Sequence, residues 1–288
     1  MGPCRLSRSR TARTPTERPG GSVSCSITDG VLAYRDTGGP GAPLVLLHAG
    51  FLGSPMFECQ LRGLRRGHRV IAPDARGHGE SANATMPFRH TDDLAALLRH
   101  IDAGPAVLVG VSMGAMIAVD TAIEYPESVR GLVVSGRGIG EPQYRDRWSR
   151  ELADTQAGAL ARRDIAAWMD TFLLWAAGPS RSLVDVDPIV IGRIRATAAR
   201  TLAKHTAPEP DYLVPVADVA TRAAGIAVPV LAADGALDAP DLIATVDRLL
   251  DVVPDGRRRT IDGAGHFPNM EQPEAYNRLV EEFVRELG

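Results

Sequence analysis

A chain of 288 residues with 44% hydrophobic and 23% charged residues can bury a sizeable core, which excludes a mainly disordered or collagen-like polypeptide and suits one α/β unit with an insertion. A formal charge of -3 gives no general attraction to nucleic acid or to an anionic membrane, so a small neutral molecule is the expected partner, with a homo-oligomer left open. The three cysteines, Cys4, Cys25 and Cys59, have no CxxC spacing and suggest neither a disulfide framework nor a zinc site, which fits a reducing cytoplasm.

Residues 1–22 carry Arg5, Arg8, Arg10, Arg13 and Arg18 among Ser, Thr, Pro and Gly, a composition expected to be a disordered tail, with no apolar segment that would make it a signal peptide. Val31 to Arg35 and Leu44 to Leu47 are strand candidates separated by a Gly/Pro loop, and Arg69 to Ala72 is a third. Thr91 to Ile101 has helical spacing through Leu94, Leu97, Leu98 and Ile101. Ala106 to Val109 is again strand-like, Ala115 to Tyr125 is helical up to Pro126, and Arg130 to Ser135 supplies the next strand. Strands apolar along their whole length belong in a mostly parallel sheet with helices on both faces. Residues 137–216 break the rhythm, hold all three Trp residues and form helical patterns, so they are expected to be a helical cap inserted between core segments 23–136 and 217–288. The alternation resumes with Val228 to Ala233, a helix from Asp241 to Leu250, a strand around Arg258 to Ile261 and a last helix from Pro273 to Leu287. No run reaches the roughly 18 apolar residues of a membrane span.

The turn Gly110-Val111-Ser112-Met113-Gly114 follows four apolar strand residues and opens a helix. Small residues flanking a serine on a tight strand-to-helix turn lift its hydroxyl clear of the sheet. Such a hydroxyl needs a base, and the base needs an acceptor to orient it. Of the seven histidines, His266 in Gly263-Ala264-Gly265-His266-Phe267-Pro268 sits in a loop after a strand, whereas His68, His90, His100 and His205 have the charged or helical surroundings of solvated residues. Asp234, Asp238 and Asp241 compete to orient it. Asp238 is favoured because Gly235-Ala236-Leu237 leaves room to turn, while Asp234 has the position of a turn residue and Asp241 that of a helix N-cap.

Together these residues resemble the α/β-hydrolase superfamily from about Val31 to the C-terminus. Leu46-Leu47-His48-Ala49-Gly50-Phe51 is similar to the family's oxyanion loop, and Asp74-Ala75-Arg76-Gly77-His78-Gly79-Glu80-Ser81 to its D-x-R-G-x-G-x-S turn. In that second motif Asp74 and Arg76 are expected to brace the loop and His78 to face solvent. The resemblance implies an α/β-hydrolase fold with a Ser112, Asp238 and His266 triad and an oxyanion hole made by Met113 N–H with a second donor. Here His48-Ala49 replaces the usual His-Gly, so Gly50 and Phe51 both remain as the second donor, while His48 braces the loop. One such donor is worth roughly 3 to 4 kcal/mol.

The expected chemistry is hydrolysis of a small-molecule ester, lactone or thioester through an acyl-enzyme on Ser112, with no metal or organic cofactor. Trp148, Trp168, Trp175, Phe172 and Met169 are candidates for the cap's pocket lining. Lyase or cyclase chemistry, C–C bond hydrolysis, cofactor-free perhydrolysis and a non-catalytic receptor role are the alternatives, since a fold does not choose among them.

Overall fold

The computed structural model describes residues 22–102, 104–206 and 209–288. The expectation of a disordered tail therefore falls, apart from Ser22, outside the described residues. Eight strands form one sheet: β1 (Val23–Ile27), β2 (Gly30–Asp36), β3 (Leu44–Leu47), β4 (Val70–Pro73), β5 (Ala106–Val111), β6 (Val129–Ser135), β7 (Val230–Gly235) and β8 (Gly256–Ile261). Their order is β1-β2-β4-β3-β5-β6-β7-β8, antiparallel at β1/β2 and β2/β4 and parallel throughout the rest.

β3, β4 and β5 are buried along their whole length, as strands covered on both faces must be. Successive side chains serve opposite layers. Leu44, Leu46, Val107 and Val109 join one core with Tyr276, Val280 and Phe283. Val45, Leu47, Leu108 and Leu132 join the other with Leu94, Leu97, Ile117 and Val246. The helices are α1 (Glu58–Leu64), α2 (His90–Ile101), α3 (Met113–Glu124), α4 (Arg147–Ala161), α5 (Ile165–Ala177), α6 (Pro188–Leu202), α7 (Val219–Arg222), α8 (Pro240–Leu250), α9 (Pro268–Glu271) and α10 (Pro273–Glu286). None of them is long and apolar enough to cross a membrane.

Within the sheet, two features depart from the expectation. β1 is an additional edge strand, joined to β2 through Thr28 and Asp29, with Asp29 at φ 65. The Asp29-Gly30 pair and the alternation of Val23, Cys25 and Ile27 were its sequence signal. β7 runs to Gly235, so Asp234 is a buried strand residue rather than a turn residue.

Between β6 and β7 the chain inserts three long helices, α4 to α6, which begin at side-chain caps. Asp146 accepts from Ser149 N, Asp164 from Ala167 N, and Asp187 from Ile189 N with Pro188 at the first position.

Candidate active site

Ser112 stands between β5 and α3 with φ 55 and ψ -118. A non-glycine residue held there stores roughly 1 to 3 kcal/mol of strain and persists only where its surroundings over-determine it. Those surroundings are specific: Ser112 N donates to Ser135 O at 2.8 Å, and Ser112 O accepts from Ala115 N at 2.9 Å and Met116 N at 3.1 Å. A Cβ on Gly114 would collide with the carbonyl of Leu47, and one on Gly110 with the backbone of Gly114. The two glycines therefore let α3 start directly against β3 and β5.

His266 and Asp238 come from loops at the carboxyl ends of β8 and β7, and glycine again permits their approach. A Cβ on Gly235 would strike Ala264 O and Gly265 O, and Leu237 N donates to Ala264 O at 2.9 Å. The imidazole Nδ1 lies 3.0 Å from Asp238 Oδ2 and 3.2 Å from Oδ1, while Ala239 N donates to Oδ1 at 2.7 Å. Both side chains are buried. Burial presses the imidazole toward its neutral form, but the Asp238 carboxylate outweighs it and holds the His266 pKa above its ordinary value.

Ser112 and His266 line one cavity of about 750 Å3 together with Gly50, Phe51, Met113, Arg137 and aromatic residues of α5. Trp168 stacks on Phe172 at 4.9 Å, and Phe51 meets Trp168 edge-on at 4.6 Å. Trp168, Phe172 and Trp175 reach the cavity, whereas Trp148 packs against Trp175 and Met169 is buried in the core.

The other carboxylates have different work. Asp234 Oδ1 accepts from Gly136 N at 2.9 Å and Oδ2 from Arg258 at 3.2 Å; desolvation nevertheless lifts its pKa to about 6. Asp241 is no N-cap, since Ala239 holds that place; its carboxylate accepts from Asp146 N at the entry to α4.

In the loop after β3, His48 Nδ1 is 2.8 Å from Ala49 O, and its Nε2 accepts from Ala75 N at 2.8 Å. His78 is half-buried rather than free in solvent: its Nε2 accepts from Phe51 N at 3.1 Å and its Nδ1 lies 3.1 Å from Arg76 O. Asp74 accepts from Ser54 N and Glu80 N, and Arg76 pairs with Asp93 at 2.7 Å. Gly50 packs against Met113, whose side chain would lie 3.8 Å from a Cβ at position 50.

Sequence reasoning missed two supports. Gly136, at φ 66, lies where a Cβ would press on the His266 ring. Arg181, just beyond α5, pairs with Glu271 at 2.8 Å and donates to Ala176 O and Ala177 O, while Glu271 accepts from Gly265 N. The positive φ of Gly136 has no local signature, and the Arg181 contact spans 90 positions of chain to Glu271.

A mostly parallel eight-stranded sheet with a strained serine turn after a central strand and a helical insertion between β6 and β7 defines an α/β-hydrolase architecture. The chain belongs to the alpha/beta hydrolase family, whose sequence model matches residues 44–279. It is 26% identical over 267 residues to 3-oxoadipate enol-lactonase 2 of Acinetobacter baylyi, covering 90% of this chain and 95% of that protein. It is 30% identical over 251 residues to the pimeloyl-[acyl-carrier protein] methyl ester esterase of Aromatoleum aromaticum, covering 84% and 98%. Among solved structures it resembles a thermophilic esterase from Thermogutta terrifontis with a TM-score of 0.71 and 26% identity, covering 93% and 99%.

Proposed function

We propose that the protein is a serine hydrolase that cleaves a carboxylic ester, lactone or thioester of a small molecule. The observation that carries this reading is the His266–Asp238 pair, 3.0 Å apart, at a cavity that also exposes Ser112. The esterase and lactonase relatives agree with it. In this reading residues 137–216 cap a core of residues 23–136 and 217–288.

Ser112 Oγ adds to the carbonyl carbon while His266 Nε2 takes its proton, and Asp238 holds the Nδ1–H tautomer and stabilises the imidazolium. The oxyanion is received by Met113 N–H, free of an intrahelical partner at the start of α3, and by Gly50 N–H. Gly50 is preferred to Phe51 because the Phe51 N–H is engaged by His78. His266 then protonates the leaving group, which departs to give the acyl-enzyme, and next activates a water that releases the acid.

The test is a fluorophosphonate probe with a panel of esters, lactones and thioesters. Labelling at Ser112, with turnover abolished in Ser112→Ala, is the expected result. Ester turnover unchanged in Ser112→Ala would refute the assignment.

A further inference from the structure

The overall charge of -3 points to a neutral substrate, yet the cavity has a local charge that this sum conceals. Arg137 follows Gly136 at the end of β6, beside the His266 ring, and its side chain lines the cavity with Ser112 and His266. Among the described lining residues it is the sole Lys or Arg. Asp154 lines the same cavity from α4, but it is exposed.

The Arg137 side chain is only 20% exposed, while its ion-pair partner Glu141, 3.0 Å away, is 84% exposed. A pair with so exposed a partner is weak, because water screens it and two long side chains must be ordered to keep it. Asp120, on α3 one turn beyond the cavity-lining Met116, is a further acid in its field, but it does not line the cavity; Asp238, close to Gly136, is already engaged by His266 and Ala239 N–H. A guanidinium held in a partly desolvated wall, whose ion pair among the described residues is with a surface glutamate, is suited to exchange that partner for a bidentate carboxylate.

We infer that Arg137 receives a free carboxylate on the substrate, so that the enzyme's preferred substrates are half-esters or lactones bearing one carboxylate, with their apolar part against Phe51, Trp168 and Phe172. This assignment rests on the ester-cleaving reading of the cavity. Arg137 here binds and orients; it takes no part in bond making.

The experiment compares monophenyl esters of linear C4 to C8 dicarboxylic acids with phenyl alkanoates of the same chain lengths, alongside fluorophosphonate labelling as a check on the folded site. In the wild type, kcat/KM for the best half-ester should exceed that of its neutral partner by about tenfold or more, the scale of a hydrogen bond to a charged group. Arg137→Gln should collapse this ratio toward one, mainly through KM, and Arg137→Lys should restore part of it. Equal values for the two series in the wild type overturn the assignment of Arg137 alone, as does a ratio unmoved by Arg137→Gln while both esters are turned over. No turnover of either series together with no label on Ser112 overturns the ester reading itself, and this assignment with it.

Discussion

Phe51 N–H donates to His78 Nε2 across 3.1 Å, joining the loop after β3 to the Asp74–Ser81 turn. Phe51 is held at φ 62, a conformation disfavoured for an aromatic residue, and the bond to His78 is one of the contacts that maintains it. The consequence is that the two candidate oxyanion donors become inequivalent, with Gly50 N–H left for the cavity.

This inequivalence is tested at Gly50. A Cβ there meets only Met113 at ordinary contact distance, so Gly50→Ala should keep activity within a few-fold of wild type. Gly50→Pro removes the N–H and should lower kcat by about 100- to 1000-fold, the loss of one oxyanion donor. Equal activity of the two variants in steady-state assays would move the donor elsewhere.

The pH dependence of turnover should report His266. Catalysis needs the neutral imidazole, and its pKa is held above the ordinary 6.5, so kcat/KM should fall as pH drops through an inflection above 6.5. Asp238→Asn removes the carboxylate that raises the value and leaves burial in control, so the inflection should move to lower pH. The same variant should lower kcat by about 10,000-fold, because the wrong tautomer is then favoured. An inflection that does not move would separate Asp238 from His266.

His90 gives a prediction about stability. Burial, aided by neighbouring His48 and Arg76, pushes its pKa from 6.5 to about 4. The native protein therefore keeps it neutral while the unfolded chain takes up a proton, so its contribution is present above pH 6.5 and lost as pH falls toward 4. The limiting loss is about 3 kcal/mol by linkage. Asp120 and Asp234, both raised to about 6, act in the opposite sense, so the informative quantity is a difference between proteins. Denaturant titrations at pH 7 and pH 4.5 should show His90→Gln losing less stability on acidification than wild type.

Lys204, just beyond α6, donates through Nζ to Gly79 O at 3.0 Å, His78 O at 3.3 Å and Ser81 O at 2.5 Å. It ties the segment after α6 to the turn that holds His78. Lys204→Met leaves those carbonyls without their cationic donor and should destabilise the protein by about 2 kcal/mol, read as a lowered denaturation midpoint. It should also slow fluorophosphonate labelling, since His78 holds Phe51. A faster labelling rate with unchanged stability would contradict this linkage.

Several parts of the site were legible because each depends on local pattern. Gly110 and Gly114 around Ser112 mark a turn that larger residues could not make, and the run Ala106 to Val109 before it has the uniform apolarity of a covered strand. Gly235 and Gly265 likewise mark loops that approach each other. The edge strand β1 was lost because one solvated face and a short alternating pattern carry little signal. His78 and His90 are half-buried rather than fully solvated, because local polarity does not report covering by segments far along the chain.

By itself, the sequence determined the alternation of strands and helices, the serine turn and the identity of the histidine and acid loops, since backbone permissiveness and hydrophobic periodicity are properties of neighbouring residues. Only the tertiary structure decided which acid lies beside His266, that His78 engages Phe51 rather than water, and that Arg137 faces the cavity. Those outcomes depend on distance, burial and local charge between segments separated by tens of residues, which no local pattern encodes.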